Sequence, residues 1–286
     1  MYGISLINQV EIQSNSLERI KQYLEIEQEP KATANGVPPA YWPSSGHLRA
    51  ESLCARYSAD GPQVLRDISF EIKGGERIGI VGRTGSGKPE SSLTLAVLRA
   101  ILTDGAVYYD GIPMSALNLE AVRRNITIIP QVLLNGSLRM NVDPLGEHDD
   151  ASLNDALRAA GLFTLKGESD ARITLDTMVG SGGASLSVGT RQILALSRAL
   201  VRGSKVLVMD EATSAIDYET ERVIQASLRT ELGKDVTLLT VAHRLQSSMD
   251  ADRIMVLDTG NIVEFASPQE LLDNRTGSLE VACSRG

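Results

Sequence analysis

The stretch that most constrains the fold of this chain spans residues 78–99 and reads IGIVGRTGSGKPESSLTLAVLR. The apolar residues at its start predict a buried strand, and its second half predicts a helix, with a glycine-rich turn between the two. Glycines let the backbone bend tightly and turn its N–H groups toward an anion, and the start of the following helix adds the positive end of a dipole. The order of strand, glycine-rich loop and helix therefore predicts a phosphate-binding loop.

The loop follows the pattern G-x-x-x-x-G-K, in which the lysine reaches the β- and γ-phosphates of a nucleotide. The residues that we expect to bind the nucleotide are Gly82, Arg83, Thr84, Gly85, Ser86, Gly87 and Lys88. The pattern normally continues with Ser or Thr, whose hydroxyl ligates Mg²⁺, but Pro89 occupies that position. Ser91 and Ser92 are the nearest hydroxyls that could replace it, and we predict Ser91 as a Mg²⁺ ligand.

Pro89 and Glu90 interrupt the pattern as if two residues had been inserted. Proline has no N–H to donate to a phosphate. Glu90 brings a negative charge near bound phosphates; at ~4 Å and an effective dielectric of about 20 that repulsion is on the order of 4 kcal/mol, and it is smaller if the side chain turns to solvent. Both residues nevertheless suit the first turn of a helix. The sequence thus predicts an intact fold with altered magnesium handling.

The composition of the 286 residues, 42% apolar and 22% charged, is that of an ordinary globular protein. The net charge of −8 argues against nucleic acid as a partner, because nucleic-acid-binding surfaces usually carry a basic patch. Cys54 and Cys283 lie too far apart in the sequence to form a metal-binding spacing. No apolar run approaches the roughly 18–20 residues that cross a bilayer, so the sequence predicts a soluble or peripheral chain.

The pattern of the chain changes twice along its length. Residues 4–28 carry apolar side chains near helical spacing and predict an amphipathic helix that must pack on something. The segment 29–46 is rich in Pro, Gly, Ala and Ser and predicts a linker. Strands and helices then alternate, and three apolar, β-branched runs predict parallel strands buried on both faces: 126–130, 205–210 and 235–243.

Two further motifs carry candidate chemistry. The run KVLVMDE ends in Asp210 and Glu211, which places two carboxylates at the C-terminal edge of a sheet, where α/β proteins bind ligands. Asp210 is suited to hold Mg²⁺ through water, and Glu211 to polarise an attacking water. Ser187 and Gly189 stand where a helix begins and could form a second anion site, although a capped helix start gives the same pattern.

Three single residues are ambiguous when each is read alone. His243 follows an apolar strand and could be a core histidine. Gln131 could be a plain loop residue, and Tyr57 could be a solvated aromatic. Their order along the chain, together with the other motifs, gives them more meaning than any of them has by itself.

Taken in this order, the motifs resemble the nucleotide-binding domain of ATP-binding-cassette (ABC) transporters over about residues 47–280. The resemblance implies ATP and Mg²⁺ as cofactors. It also implies that Tyr57 stacks on adenine and that His243 contacts the γ-phosphate during catalysis. Gln131 resembles the glutamine that senses Mg²⁺ and couples the nucleotide site to the membrane domain.

The resemblance further implies a second nucleotide-binding domain as a partner, paired head to tail. The sequence LSVG, which contains Ser187 and Gly189, matches the signature motif that contacts the γ-phosphate bound by the opposite domain. Asp210 resembles the magnesium-linked aspartate, and Glu211 resembles the catalytic glutamate. The sequence SAID at 214–217 resembles the loop that links the paired sites.

The fit is best to the second, C-terminal nucleotide-binding domain of multidrug-resistance-associated (C subfamily) transporters of the long fungal type. On that basis we expect residues 1–28 to continue a missing transmembrane helix, 29–46 to form a linker, 47–280 the nucleotide-binding domain and 281–286 a tail. The implied fold is an α/β P-loop NTPase, an ABC ATPase core with an antiparallel β subdomain and a helical subdomain at roughly 132–190. The implied location is the cytoplasmic face of a membrane, against the transmembrane domains of an exporter.

The function that this resemblance implies is ATP hydrolysis coupled to export of a substrate. Besides Pro89 and Glu90, the chain lacks an acidic residue and a proline that the family usually has after Gln131, and Thr190 replaces a glutamine of the signature. We expect the isolated chain to hydrolyse ATP weakly. Two alternatives stay open: a non-hydrolysing regulatory or decoy module that pairs with an intact transporter, and a soluble cassette protein with no transport role.

Overall fold

The computed structural model describes residues 14–26, 28–82, 89–129, 135–165, 173–183, 186–211, 218–233, 235–242 and 249–273. The strands are β1 (Leu48–Arg56), β2 (Gln63–Ile72), β3 (Arg77–Gly82), β4 (Leu102–Tyr109), β5 (Ile112–Pro113), β6 (Ile126–Ile129), β7 (Gly136–Ser137), β8 (Met178–Val179), β9 (Val206–Glu211), β10 (Thr237–Ala242), β11 (Arg253–Asp258) and β12 (Asn261–Ala266). The helices are α1 (14–24), α2 (Pro89–Val97), α3 (Leu119–Asn125), α4 (Leu138–Val142), α5 (Asp150–Ala159), α6 (Leu162–Leu165), α7 (Val188–Arg202), α8 (Tyr218–Thr230) and α9 (Pro268–Asp273).

The larger sheet has six strands in the order β12-β11-β3-β10-β9-β6. Its strands are parallel except β12, which pairs antiparallel with β11 at one edge. Ile78, Ile80, Val208 and Met255 on these strands are each no more than 1% exposed, as expected for a parallel sheet that is covered on both faces. The three strands predicted from apolar, β-branched runs are confirmed as β6, β9 and β10 of this sheet.

The second sheet, in the order β2-β1-β4-β5, is antiparallel throughout and confirms the predicted antiparallel subdomain. The helix α2 packs against strands of both sheets. Leu93 and Val97 of this helix share one buried core with Leu65 of the antiparallel sheet and Ile80 of the parallel sheet. The segment that follows the glycine-rich loop is therefore held between the two sheets.

The helices α4, α5 and α6 lie in the region predicted as a helical subdomain and pack with α7 around a second core. Leu138, Leu153, Leu157 and Leu196 are buried there, so the apolar face of α7 faces the shorter helices. This helix links the helical region to the parallel sheet, because it also contacts β6. The helix α7 thus packs against both parts of the domain.

The N-terminal helix α1 has an apolar side without a cover among the described residues. Leu17, Ile20 and Leu24 recur at helical spacing and are 67%, 56% and 80% exposed. No helix within the described ranges combines the length and the apolar character needed to cross a membrane.

The segment predicted as a linker, 29–46, lies on the folded domain. Arg123 donates two hydrogen bonds to the carboxylate of Glu29, at 3.0 and 2.8 Å. Trp42 is 6% exposed, packs edge-on against Tyr109 and donates its indole N–H to the Tyr109 carbonyl oxygen at 2.9 Å. These contacts fix the segment at both ends, so the path from α1 to β1 is a strap rather than a free tether.

Asp110 holds the end of this strap. Its carboxylate accepts backbone N–H bonds from Ser44 (2.6 Å), Ser45 (3.0 Å) and His47 (2.9 Å), and a hydroxyl bond from Ser45 (2.5 Å). Burial would raise the pKa of Asp110, but the hydrogen bonds from Ser45, His47 and Ser44 outweigh it and hold the pKa below the usual aspartate value. One carboxylate thus satisfies several donors of a stretch that has no regular secondary structure.

Candidate nucleotide-binding site

The two elements that flank the glycine-rich loop are placed as predicted. β3 ends at Gly82 and α2 begins at Pro89, so the predicted strand and helix are confirmed. The loop residues themselves lie outside the described residues: Arg83, Thr84, Gly85, Ser86, Gly87 and Lys88. Their roles stay predictions.

The first turn of α2 contains the two residues that depart from the pattern. Pro89 is the first helical residue, a position that tolerates the missing N–H. Glu90 is 6% exposed, and a Cβ built on Gly82 would lie 2.2 Å from its Oε2. Ser91 is half-buried, and of the residues predicted to hold Mg²⁺ it is the one whose side chain the structure describes. The insertion thus leaves the helix intact, as predicted, and places a carboxylate against the end of β3.

Tyr57 lies next to the same turn. Its hydroxyl is 2.8 Å from Ser92 Oγ, and its side chain is 57% exposed. An aromatic ring that is held at one end and open to solvent on a face is suited to stack on a base. Sequence reasoning missed Ser92 as the residue that positions Tyr57, because nothing in the local pattern relates two residues 35 positions apart.

The remaining predicted residues follow the carboxyl ends of neighbouring parallel strands. Val241 of β10 pairs with Ile80 of β3 on one side and with Asp210 of β9 on the other, and β6 lies beyond β9. Because these strands are parallel, their carboxyl ends meet at one edge of the sheet, with β3 and β9 about 10 Å apart at two strand spacings. Asp210 and Glu211 end β9 at this edge.

His243 and Gln131 lie outside the described residues, as do residues 214–217. In the sequence, His243 comes directly after β10, and Gln131 comes two positions after the end of β6. The described strands that precede them, β6 and β10, have their carboxyl ends at the same edge as β3 and β9. Ligands of open α/β sheets bind outside the carboxyl ends of the strands, so this edge is the candidate site.

Ser187 and Gly189 begin α7, and here the structure shows a capped helix start. Ser187 Oγ accepts the Thr190 N–H at 3.1 Å and lies 2.9 Å from Thr190 Oγ1. Thr190, which stands where the family has glutamine, therefore contributes to this cap. Gly189 is buried against α8, where an added Cβ would lie 2.4 Å from Thr220 Cγ2. A structural role is visible for both residues, and their nucleotide contacts stay predictions.

Replacing Gly189 with Ala should lower the free energy of unfolding by about 1 to 2 kcal/mol, because the new methyl group overpacks the contact between α7 and α8. Urea unfolding followed by circular dichroism measures the loss. Thr220→Ser removes the methyl group that the new Cβ would meet, so the double variant should recover part of the stability. If Gly189→Ala alone unfolds at the parent midpoint, the close packing at Gly189 is not what requires glycine.

The donor set predicted for magnesium consists of oxygen atoms: the Asp210 carboxylate, the Ser91 hydroxyl and the Gln131 amide. Hard oxygen ligands are those that Mg²⁺ prefers, and it usually completes its shell with water and substrate phosphates. Among the side chains that the structure describes, no group of three or more His, Cys, Asp or Glu could hold a metal ion by itself. Oxygen donors of this kind fit a Mg²⁺ ion that also binds the phosphates of a nucleotide.

A parallel sheet with a strand, glycine-rich loop and helix at its centre, acidic residues two strands away and an antiparallel sheet alongside define a P-loop nucleotide-binding domain. The chain belongs to the ABC transporter family: the family model described as "ABC transporter" matches residues 65–214. This confirms the predicted family and the predicted ABC ATPase fold.

The proteins that this chain resembles include C-subfamily ABC transporters. The chain is 42% identical to ATP-binding cassette sub-family C member 2 of Rattus norvegicus over 95% of its length, which is 18% of that protein. It is 43% identical to the metal resistance protein YCF1 of Saccharomyces cerevisiae over 93% of its length, again 18% of the relative. The chain thus spans under a fifth of the length of these relatives.

A solved structure of a bacterial Atm1-family ABC exporter with ATP bound superposes on the chain with a TM-score of 0.82 at 28% identity. The match covers 98% of this chain and 47% of that chain. Both comparisons agree with the predicted likeness to the nucleotide-binding part of a larger exporter.

Proposed function

We propose that this chain is the ATP-binding and ATP-hydrolysing domain of an ABC exporter, attached to transmembrane domains at the cytoplasmic face of a membrane. The observation that carries the proposal is the shared edge of the sheet, where β3 leads into the phosphate-loop motif and β9 ends in Asp210 and Glu211. A second nucleotide-binding domain, paired head to tail, would supply its signature motif to this site. The likeness to ABC exporters supports that assembly.

The residues of the edge have distinct roles in the proposed reaction. Tyr57, held by Ser92, stacks on adenine, and Lys88 with the loop N–H groups binds the phosphates. Glu211 accepts a proton from the attacking water, and His243 contacts the γ-phosphate. Mg²⁺, held by Asp210, Gln131 and Ser91, supplies neutralisation of the phosphate charge when it is bound.

The exposed apolar side of α1 favours this proposal over a soluble cassette protein. Leu17, Ile20 and Leu24 would be covered if α1 continued a transmembrane helix and packed on a membrane domain. The strap at 29–46 would then connect that helix to the nucleotide-binding domain through Glu29 and Asp110. Export of a substrate is the function that this arrangement serves.

The departure at Pro89 and Glu90 should impair the handling of MgATP. Deleting both residues restores the spacing that puts a Ser hydroxyl directly after Lys88, so we expect MgATP affinity and kcat/KM to rise by about tenfold, a change of about 1.4 kcal/mol. Calorimetric titration and steady-state phosphate release on the purified chain measure the two quantities. Thermal unfolding of both proteins checks that the deletion leaves the fold intact.

A second candidate function is a nucleotide-binding module that does not hydrolyse ATP, and the buried Glu90 carboxylate is the observation that favours it. If the deletion variant and the parent both bind ATP and neither releases phosphate, this second function replaces the first. If the parent already turns over MgATP as fast as the deletion variant, the account of the loop is wrong although the chain is an ATPase. Absence of binding by both folded proteins would contradict either function.

A further inference from the structure

The first turn of α2 holds a carboxylate that the phosphate-loop pattern does not require. Glu90 is 6% exposed, and its Oε2 is buried and has no hydrogen-bond partner among the described residues. A Cβ on Gly82 would lie 2.2 Å from Oε2 and 3.2 Å from Oε1, so both oxygens face the end of β3. The carboxylate therefore lies between the strand that leads into the loop and the helix that leaves it.

This position is where a helix attracts an anion. The N–H groups of the first turn and the helix dipole favour negative charge, and phosphate-binding loops use that field for the ligand. Here Glu90 already places a negative charge in the first turn of a nine-residue helix, and Pro89 removes one N–H donor. An anion that arrives from solution must share the remaining field with this carboxylate.

The carboxylate is held in place by the packing of the helix. Leu93 and Val97 anchor α2 in the core between the two sheets, and Ser92, two residues after Glu90, is 2% exposed and bonded to Tyr57. Burial without a partner is unfavourable for a charged group, and Glu90 Oε2 has no partner among the residues that the structure describes. The core packing of α2 sets the rotation of the helix and so places Glu90 in this buried position.

We propose that Glu90 is an internal anion in the phosphate site and that the domain therefore discriminates between adenine nucleotides by their charge. The proposal rests on the proposed function, since it takes a nucleotide as the ligand. Repulsion from Glu90 grows with the number of phosphate charges, so ATP is weakened most, ADP less, and adenosine not at all. Contacts to adenine depend on Tyr57, whose hydroxyl is bonded to Ser92 and not to Glu90.

The test is calorimetric titration of the parent chain and of Glu90→Gln with adenosine, ADP and ATP, each in EDTA, and with ATP in the presence of Mg²⁺. Gln keeps the size of the side chain and removes its charge. We expect metal-free ATP to bind about tenfold tighter to Glu90→Gln, ADP to gain less, and adenosine to be unchanged. Glu120→Gln, in the first turn of α3 on an exposed side chain, is the matched control and should leave all four affinities unchanged.

Three results would overturn the proposal. Equal changes for all ligands would show that packing at position 90 matters and its charge does not. Weaker binding of MgATP to Glu90→Gln, with metal-free ATP unchanged, would make Glu90 a metal ligand. Unchanged affinities for Glu90→Gln would show that the carboxylate does not meet the phosphates. Glu90→Ala should also give the largest gain in affinity for metal-free ATP, a smaller gain for ADP and none for adenosine. Thermal unfolding shows that both variants are folded.

The proposed function and this inference fail in different ways. If no adenine nucleotide binds to any folded variant, the proposed function is wrong and the inference falls with it. If nucleotides bind without discrimination by charge, the proposed function stands and only the inference is lost.

Discussion

Replacing Glu211 with Gln should lower ATP turnover by about 100-fold or more, because a positioned general base contributes on the order of 10²–10⁴ to a rate. Glu211 is the last residue of β9, at the edge to which β3, β10 and β6 also bring their carboxyl ends. Gln has a similar shape but cannot take a proton from the attacking water. ATP affinity should stay within about threefold of the parent value, since the lost interaction belongs to the transition state.

Phosphate release under saturating MgATP measures the effect, both in the parent and in the variant that lacks Pro89 and Glu90. The deletion variant is included because its ATP turnover is expected to be faster, so a larger fall in rate can be measured in it. Glu231→Gln, an exposed glutamate just beyond α8, is the control and should be neutral. A Glu211→Gln protein that keeps more than about a third of the parent rate would show that another group activates the water.

The larger elements of this fold were predictable because local patterns encode them. Three apolar, β-branched runs predicted β6, β9 and β10, and the strand and helix around the glycine-rich loop were predicted from the same reasoning. The sequence also predicted Asp210 and Glu211 at the C-terminal edge of a sheet, and they end β9 of the parallel sheet. Periodicity and motif spacing are enough for features of this kind.

Contacts between distant residues were not predictable in the same way. The bond between Tyr57 and Ser92 joins two elements, and neither residue signals the other in the sequence. Gly189 reads as part of an anion-binding helix start, whereas its lack of a side chain is also required by Thr220 of α8. Such features depend on how the elements pack, which local patterns do not record.

The burial of Glu90 is another feature that local sequence patterns do not predict. Its position in the first turn of α2 was predicted, but the direction of its side chain was left open, with solvent as one outcome. The core contacts of Leu93 and Val97 fix the rotation of the helix and so turn Glu90 inward. The Glu90 carboxylate therefore cannot rotate into solvent while α2 keeps this packing.

The second prediction with a large expected effect concerns Asp110, which holds the strap at 29–46. Composition alone predicted a linker there, yet Asp110 accepts hydrogen bonds from Ser44, Ser45 and His47, more than 60 positions away in the sequence. Replacing Asp110 with Ala should lower the free energy of unfolding by about 2 to 3 kcal/mol, because several donors of the strap lose a charged acceptor together. Asp110→Asn keeps one acceptor oxygen and should lose less.

Urea unfolding at neutral pH measures both losses, and Asp60→Ala, an exposed aspartate in the turn after β1, is the matched control. Protease cleavage between residues 29 and 46 should also become faster in Asp110→Ala, since the strap then has fewer contacts with the domain. A variant with the parent unfolding midpoint and the parent cleavage rate would show that the strap is held without Asp110.

The contribution of Asp110 should also depend on pH in a definite direction. Its hydrogen bonds hold the folded-state pKa below the usual aspartate value, which the unfolded chain retains at about 3.9. The folded state therefore gains stability from this group above that pH and loses it as the pH falls through the lower, folded pKa. The difference in unfolding free energy between the parent and Asp110→Asn should be constant from pH 7 to about pH 5 and should shrink below about pH 4. A difference that grew on acidification would mean that the strap prefers a protonated Asp110, opposite to the hydrogen bonds that the carboxylate accepts.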